Sequence, residues 1–181
     1  MGHPKALLRD RASGLTFLER AVAVLRDGGC DGVTVVVGAA ADEVRAVAEG
    51  LGADVDVIEC RDWSEGMGAS LRAGLTALAS TESAAVVVTL VDLPDVGPDV
   101  VRRLLEGERD LPAALGRAAY GGVPGHPALI GRAHWADVIV GATGDRGARE
   151  YFRAHRHRLV EAGDLATGRD VDTPGELGSP T

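Results

Sequence analysis

Residues 84–94 read Ala-Ala-Val-Val-Val-Thr-Leu-Val-Asp-Leu-Pro, and this stretch decides the fold class. Ala84 to Val91 is an uncharged run with three adjacent valines. A strand with one wet face alternates apolar and polar residues, so this run predicts a β-strand covered on both faces and central in its sheet. Asp92 follows the run directly. In open parallel sheets ligands bind beyond the carboxyl ends of the strands, which places an aspartate there at a site. The same aspartate can instead hydrogen-bond the turn before Pro94, and position alone does not choose between these readings.

Outward from this strand, Val-rich runs alternate with stretches of helical spacing. Ala69 to Leu78 precedes it as a helix. Gly97-Pro98 opens the next, with proline at the first helical position, and that helix runs to about Leu105. Val33 to Val37 is a second buried strand and Asp54 to Glu59 a third, with Asp42 to Leu51 helical between them. After Thr16, residues Leu18, Ala21, Val22 and Leu25 share a helical face. Thr16 and Glu19 have capping-box spacing, and Gly28-Gly29 stops the helix. From Leu111 to Ala133 the pattern weakens, predicting irregular strands with a loop around Gly121 to Pro127. Asp145 to His155 reads as a helix, Arg158 to Glu161 as a strand, and Thr173-Pro174-Gly175-Glu176 as a capped helix start. The alternation predicts an α/β protein with a mainly parallel sheet.

The chain has 181 residues, a length suited to one domain spanning 1–181, and no linker divides it. Hydrophobic residues are 45% and mean hydropathy is +0.05, which excludes disordered, collagen-like and membrane-spanning classes. The net charge of −8 without a basic stripe argues against nucleic acid and for a small-molecule partner. No run is long enough to cross a bilayer and no signal pattern opens the chain, so a cytoplasmic location is expected. Cys30 and Cys60 form neither a disulfide framework nor a metal spacing. Lys5 is the only lysine among 19 basic residues.

Several pieces can carry chemistry, each with a plainer alternative. Asp170 and Asp172 precede the last helix at another expected strand end. Mg²⁺ takes one or two carboxylates plus substrate phosphates, so Asp92 with this pair suits a metal-nucleotide complex, although Asp172 also suits a plain helix-entry residue. Trp63-Ser64-Glu65-Gly66-Met67-Gly68-Ala69-Ser70-Leu71 is a glycine-punctuated loop entering a helix, able to approach an anionic or flat ligand or simply to connect elements. Gly122-Val123-Pro124-Gly125-His126-Pro127 could present His126 to a ligand or to solvent. Gly144-Asp145-Arg146-Gly147-Ala148-Arg149 is either a helix start or an anion clamp through Arg149. No Ser-His-Asp order, Walker loop, Rossmann glycine fingerprint or zinc spacing is present.

Together these stretches resemble the molybdenum cofactor cytidylyltransferases, within the nucleotidyltransferases that carry a MobA-like NTP-transferase domain. The resemblance is carried by Met1-Gly2-His3-Pro4-Lys5-Ala6-Leu7-Leu8, Trp63 to Leu71, Val91 to Pro94, Gly125-His126-Pro127, Gly144 to Arg149 and Asp170-Val171-Asp172-Thr173-Pro174, in family order. It implies a three-layer α/β/α, Rossmann-like fold of the nucleotide-diphospho-sugar transferase type. It also implies attack by the terminal phosphate of a pterin cofactor on the α-phosphate of an NTP, CTP in the branch matched, with release of pyrophosphate. Lys5 stands where the family's lysine neutralises phosphate charge, in the opening motif with Gly2. Asp92 stands at the principal Mg²⁺ ligand, with Asp172, or Asp170 as a substitute, at the second acidic position. Gly66, Gly68 and Ser70 align with the nucleobase segment, and His126, Asp145 and Arg149 with the acceptor segment.

The chain departs from the family at its start. The family opens with a strand and a glycine-rich loop, roughly Leu-x-x-Gly-x-Ser-x-Arg-Met-Gly, and this sequence begins at that motif's Met-Gly. One strand and one loop, on the order of 15 residues, are expected to be missing, leaving unpaired backbone beside buried strands and weak NTP binding. Two other functions fit the same pieces: transfer to another small phosphorylated acceptor, such as a sugar phosphate or phospholactate, and a non-catalytic chaperone that binds the cofactor or a molybdoenzyme.

Overall fold

The computed structural model describes residues 4–10 and 13–170. Gly2, Asp172 and the helix start expected at Thr173-Pro174 lie outside the described residues. In chain order the elements are α1 (Phe17–Asp27), β1 (Val33–Val37), α2 (Ala41–Ala48), β2 (Val55–Glu59), α3 (Met67–Leu78), β3 (Ala85–Val88), α4 (Pro98–Leu105), β4 (Leu115–Tyr120), β5 (Val123–Gly131), α5 (Trp135–Gly141), α6 (Arg149–Ala154) and β6 (Arg158–Glu161).

The strands form two sheets. β1 and β2 pair in parallel, and the other four lie in the order β3-β5-β4-β6. β5 runs antiparallel to both β3 and β4, whereas β6 is parallel to β4. β5 is thus the one reversed strand of its sheet, and the mainly parallel reading holds. Helices cover both faces. On the larger sheet, Leu75 of α3, Trp135 and Val138 of α5 and Phe152 of α6 pack against Leu115, Ala128 and Ile130, with Val86 and Val88 alongside. On the opposite face Leu104 of α4 meets Leu129, Ala85 and Val87. The smaller sheet packs Val33 and Val37 against Leu18 and Val22 of α1 and Val44 and Ala48 of α2. Alpha-helix α3 reaches both sheets, because Gly74 lets it approach Val36 of β1 while Leu75 packs toward β3. The result is the three-layer α/β/α arrangement.

Local signals explain the element ends. The Thr16 amide donates to Glu19 Oε2 at 2.5 Å and the Glu19 amide donates to Thr16 Oγ1 at 3.1 Å, closing the expected capping box. Pro98 begins α4, whose buried Val100, Val101 and Leu104 form its inner stripe. No helix of the described residues is long and apolar enough to cross a membrane.

Three expectations change. First, β3 is not central by pairing: among the described strands it bonds only to β5 and stands at the end of its sheet. Its apolar character on both sides comes from α3 and α4 above and below, not from strands on both edges. Among the described residues neither β1 nor β3 has a strand on its second edge. Second, residues 121–127 are not a loop. Gly121 and Gly122, with φ of 60° and 80°, make a tight turn, and β5 starts at Val123. The irregularity lies inside the ladder. Arg117 pairs with Ala128 and Ala119 with Pro124, so Gly125, His126 and Pro127 bulge opposite the single residue Ala118. Third, α6 begins at Arg149 rather than Asp145, because Gly147 takes a φ of 52° between a short 3-10 turn and the helix.

Candidate active site

The first site element is the 3-10 turn Lys5–Leu7, tied to the start of α1 by the Phe17 amide donating to the Leu8 carbonyl at 2.9 Å. This turn points Lys5 at the tip of the β3 segment. Its Nζ donates to Asp92 Oδ2 at 2.9 Å, with the lysine side chain 37% and the aspartate side chain 17% exposed. Residues at opposite ends of the sequence-derived pattern, one expected at phosphate and one at metal, therefore touch.

Three residues beyond Asp92, Asp95 anchors the segment that follows β6. Asp95 Oδ2 accepts from the Thr167 amide at 2.5 Å and from Thr167 Oγ1 at 2.6 Å. Asp170 lies three residues past Thr167 and so on the stretch pinned beside the Asp92 turn. Among the described residues no three His, Cys, Asp or Glu side chains form a group able to hold a metal by themselves. The same segment crosses Tyr120, whose ring Gly168 approaches so closely that an added Cβ would lie 2.2 Å away. The Tyr120 hydroxyl donates to the His126 carbonyl at 2.6 Å, and burial, assisted by Asp95, pushes its pKa up to about 12. It stays a protonated donor at neutral pH.

His126 sits in the β5 bulge. Burial foremost, with Arg117 and Arg149 acting in the same direction and Asp92 against them, lowers its pKa from 6.5 to about 4. These four residues therefore share one electrostatic neighbourhood, and at neutral pH the imidazole is uncharged. Between about pH 4 and 6.5 the unfolded chain carries a proton on His126 that the folded chain lacks. Stability is accordingly expected to fall as pH drops through this window, and His126→Gln to flatten that part of the profile. Urea unfolding of both proteins at intervals across the window checks this; parallel profiles would show that the imidazole is not desolvated.

The glycine loop meets the 144–149 segment. Gly66 has a φ of 113°, and a Cβ there would lie 2.5 Å from Asp145 Oδ1 and 2.6 Å from the Gly144 carbonyl carbon. A Cβ on Gly68 would lie 2.9 Å from the Ala142 carbonyl carbon and the Thr143 nitrogen. Arg72 clips the junction, donating through Nη1 to the Ala142 carbonyl and through Nη2 to Glu65 Oε2, each at 2.7 Å. Both glycines are thus needed for backbone contact between two loops, whatever they do to a ligand. Ser70 lies half-buried in the first turns of α3.

The structure therefore brings Lys5 to Asp92 and Gly66 to Asp145, sets Gly68 against Ala142 and Thr143, and leaves Arg149 acting on His126 through its charge. Sequence reasoning missed Arg117, Tyr120, Asp95 and Arg72. Arg117 and Tyr120 lay in the stretch read as irregular, where only strand pairing shows which residues adjoin His126.

The comparisons with known proteins agree with this architecture. The MobA-like NTP transferase domain matches residues 1–159. The chain is 37% identical over 183 residues to the nicotine blue oxidoreductase of Paenarthrobacter nicotinovorans, covering 96% of this chain and 86% of that protein. Among solved structures it is similar to Rv0371c of Mycobacterium tuberculosis H37Rv, with a TM-score of 0.71 and 30% identity over 97% of this chain and 88% of that one. A manganese complex of Rv0371c superposes with a TM-score of 0.67 at 29% identity, covering 88% and 80% of the two chains. With the domain match spanning most of the sequence and a relative aligned along nearly all of it, the chain belongs to the family of MobA-like NTP transferase domains.

Proposed function

We propose that this protein transfers a nucleotidyl group, CMP from CTP, to the terminal phosphate of a phosphorylated pterin, the molybdenum cofactor, and releases pyrophosphate. The observation that carries this reading is the Lys5–Asp92 contact at the tip of β3, a cation and a carboxylate converging at the strand end where α/β sheets bind ligands. The donor set fits a divalent ion held mainly by substrate phosphates: Asp92 supplies a half-buried carboxylate, Asp170 lies on the adjoining segment, and Asp172 follows it in sequence. The manganese complex of Rv0371c supports divalent-metal use, with Mg²⁺ as the ion proposed here. When bound, the ion would neutralise charge on the triphosphate and align its α-phosphate.

The protein's own groups would do the rest. An oxygen of the acceptor phosphate forms a bond to the α-phosphorus as the bond to the pyrophosphate leaving group breaks. Lys5 offsets charge that builds on the nucleotide's phosphate oxygens. Neutral His126, with Asp145 and Arg149, orients the acceptor, Gly68 and Ser70 face the nucleobase, and Gly66 holds the 144–149 segment in place. Gly2 would add a backbone amide near the phosphates. Little covalent chemistry is required, since positioning and charge neutralisation supply the acceleration.

Pyrophosphate release from CTP, GTP, ATP and UTP with purified pterin cofactor tests this. CTP is expected to turn over fastest, and only with acceptor present; a GTP preference overturns the base assignment. Release with a sugar phosphate or phospholactate but not with the pterin would move the acceptor to another phosphorylated small molecule. Tight pterin binding without release would indicate a carrier that delivers the cofactor to a molybdoenzyme. The identity to a nicotine blue oxidoreductase favours one further reading, a redox enzyme on the same scaffold. Reduction of nicotine blue by a soluble hydride donor in the absence of nucleotide triphosphate would support it. Against it stands the lack of a Rossmann glycine fingerprint in the sequence.

A further inference from the structure

Arg117, on β4, is half-buried and has no carboxylate in ion-pairing range among the described residues. Its Nε donates to the Gly125 carbonyl at 3.2 Å, and its guanidinium carbon lies 5.2 Å from the centroid of the Phe152 ring. These contacts fix the plane of the group and leave its Nη atoms without a protein acceptor among the described residues. Other arginines are completed differently. Arg132 donates to the carbonyls of Ala79, Thr81 and Ser83, and Arg103 pairs with Asp164. In a chain of net charge −8, this half-buried guanidinium stands beside a second cation and beside no carboxylate among the described residues, a repulsion that a bound anion would offset. That second cation is Arg149, exposed at the start of α6 and close enough to act on Arg117 electrostatically. His126 adjoins the carbonyl that holds Arg117, and its imidazole feels the charges of Arg117, Arg149 and Asp92.

We propose that Arg117 is the specificity-determining residue of the acceptor pocket, its Nη atoms joining Arg149 to grip a phosphate monoester dianion through the oxygens that do not attack. The inference rests on the nucleotidyl-transfer reading and deepens it by naming the charge state the acceptor must carry. A planar fork suits paired oxygens, which a lysine in the same place would match less well. The dianion also offsets the repulsion between the two arginines, which a phosphodiester, with a single charge, does less fully.

Binding of phenyl phosphate and of methyl phenyl phosphate, measured by calorimetry on the purified protein, tests this. The monoester is expected to bind roughly tenfold or more tightly than the diester. Arg117→Gln should weaken monoester binding by about tenfold or more, and Arg117→Lys should recover only part of the loss. CTP affinity should change by less than about twofold in either variant, because the nucleotide lies at Lys5 and Asp92. Arg149→Gln, at an exposed position that cannot disturb the core, should weaken the monoester in the same direction. Equal binding of monoester and diester, no binding of either, or unchanged monoester binding in Arg117→Gln and Arg149→Gln would overturn the assignment. If acceptor-dependent pyrophosphate release persists in that event, the transfer reading survives without it. Conversely, Arg117-dependent monoester binding with no pyrophosphate release from any acceptor would keep the anion site and remove the transferase reading.

Discussion

Alanine at position 92 is expected to lower metal-dependent pyrophosphate release by roughly a hundredfold or more, in line with losing one preorganised charge at a developing anion. The protein should remain folded. Asp92 meets Lys5 at 2.9 Å, but the lysine side chain is more than a third exposed, so the ion pair contributes at most about 1 kcal/mol to stability. Leu93 and Val96, which bury the following turn, are untouched by the change. Lys5→Met should reduce the same rate through loss of the opposite charge. The double variant should fall short of the product of the two single effects, because both residues act on one phosphate cluster. Initial rates at saturating acceptor, with urea midpoints on the same preparations, separate chemistry from folding. Full turnover in Asp92→Ala would make the contact with Lys5 a structural tie.

The second large effect is expected at Gly66. Alanine there must adopt a φ of 113°, a region that side chains rarely enter, at a cost of about 1–3 kcal/mol. Its methyl group would also lie 2.5 Å from Asp145 Oδ1 and 2.6 Å from the Gly144 carbonyl carbon, so the 144–149 segment has to move away. Such overpacking adds a cost of about 1–3 kcal/mol. The urea midpoint should fall accordingly. Because the displaced segment leads to Arg149, KM for the acceptor should rise more than KM for the nucleotide. This outcome distinguishes the packing role visible in the geometry from the nucleobase contact implied by resemblance. A rise confined to the nucleotide KM, with stability unchanged, would return Gly66 to the nucleobase.

The elements that were legible in the sequence are those whose signals are local. Thr16 and Glu19 cap α1 through bonds three residues apart, and Pro98 sets the start of α4 by its own ring. Arg158–Glu161 is a strand with the bounds its pattern suggests. The β4–β5 hairpin was not legible for the opposite reason. Leu115–Tyr120 has little β-branched character, and β5 holds glycine and proline at its start, so its strand geometry depends on neighbours far along the chain. The central placement of Ala85–Val88 failed because covering helices and flanking strands leave the same apolar signature. At the site, the tip position of Asp92 followed from topology, whereas its contact with Lys5 spans 87 residues and no periodicity encodes it. Arg117 escaped notice because an arginine in a weak strand looks like a solvated one until it is seen that no carboxylate among the described residues pairs with it.

Nucleotide phosphates and a divalent ion are expected to meet at the Lys5–Asp92 tip of β3. Crystals of the protein grown with CTP and Mn²⁺ test it through the anomalous signal of the metal. A peak is expected within coordination distance of the Asp92 carboxylate, with Lys5 turned from that carboxylate toward a phosphate oxygen. Nucleotide bound elsewhere, with no peak at Asp92 and the 2.9 Å contact to Lys5 intact, would contradict it.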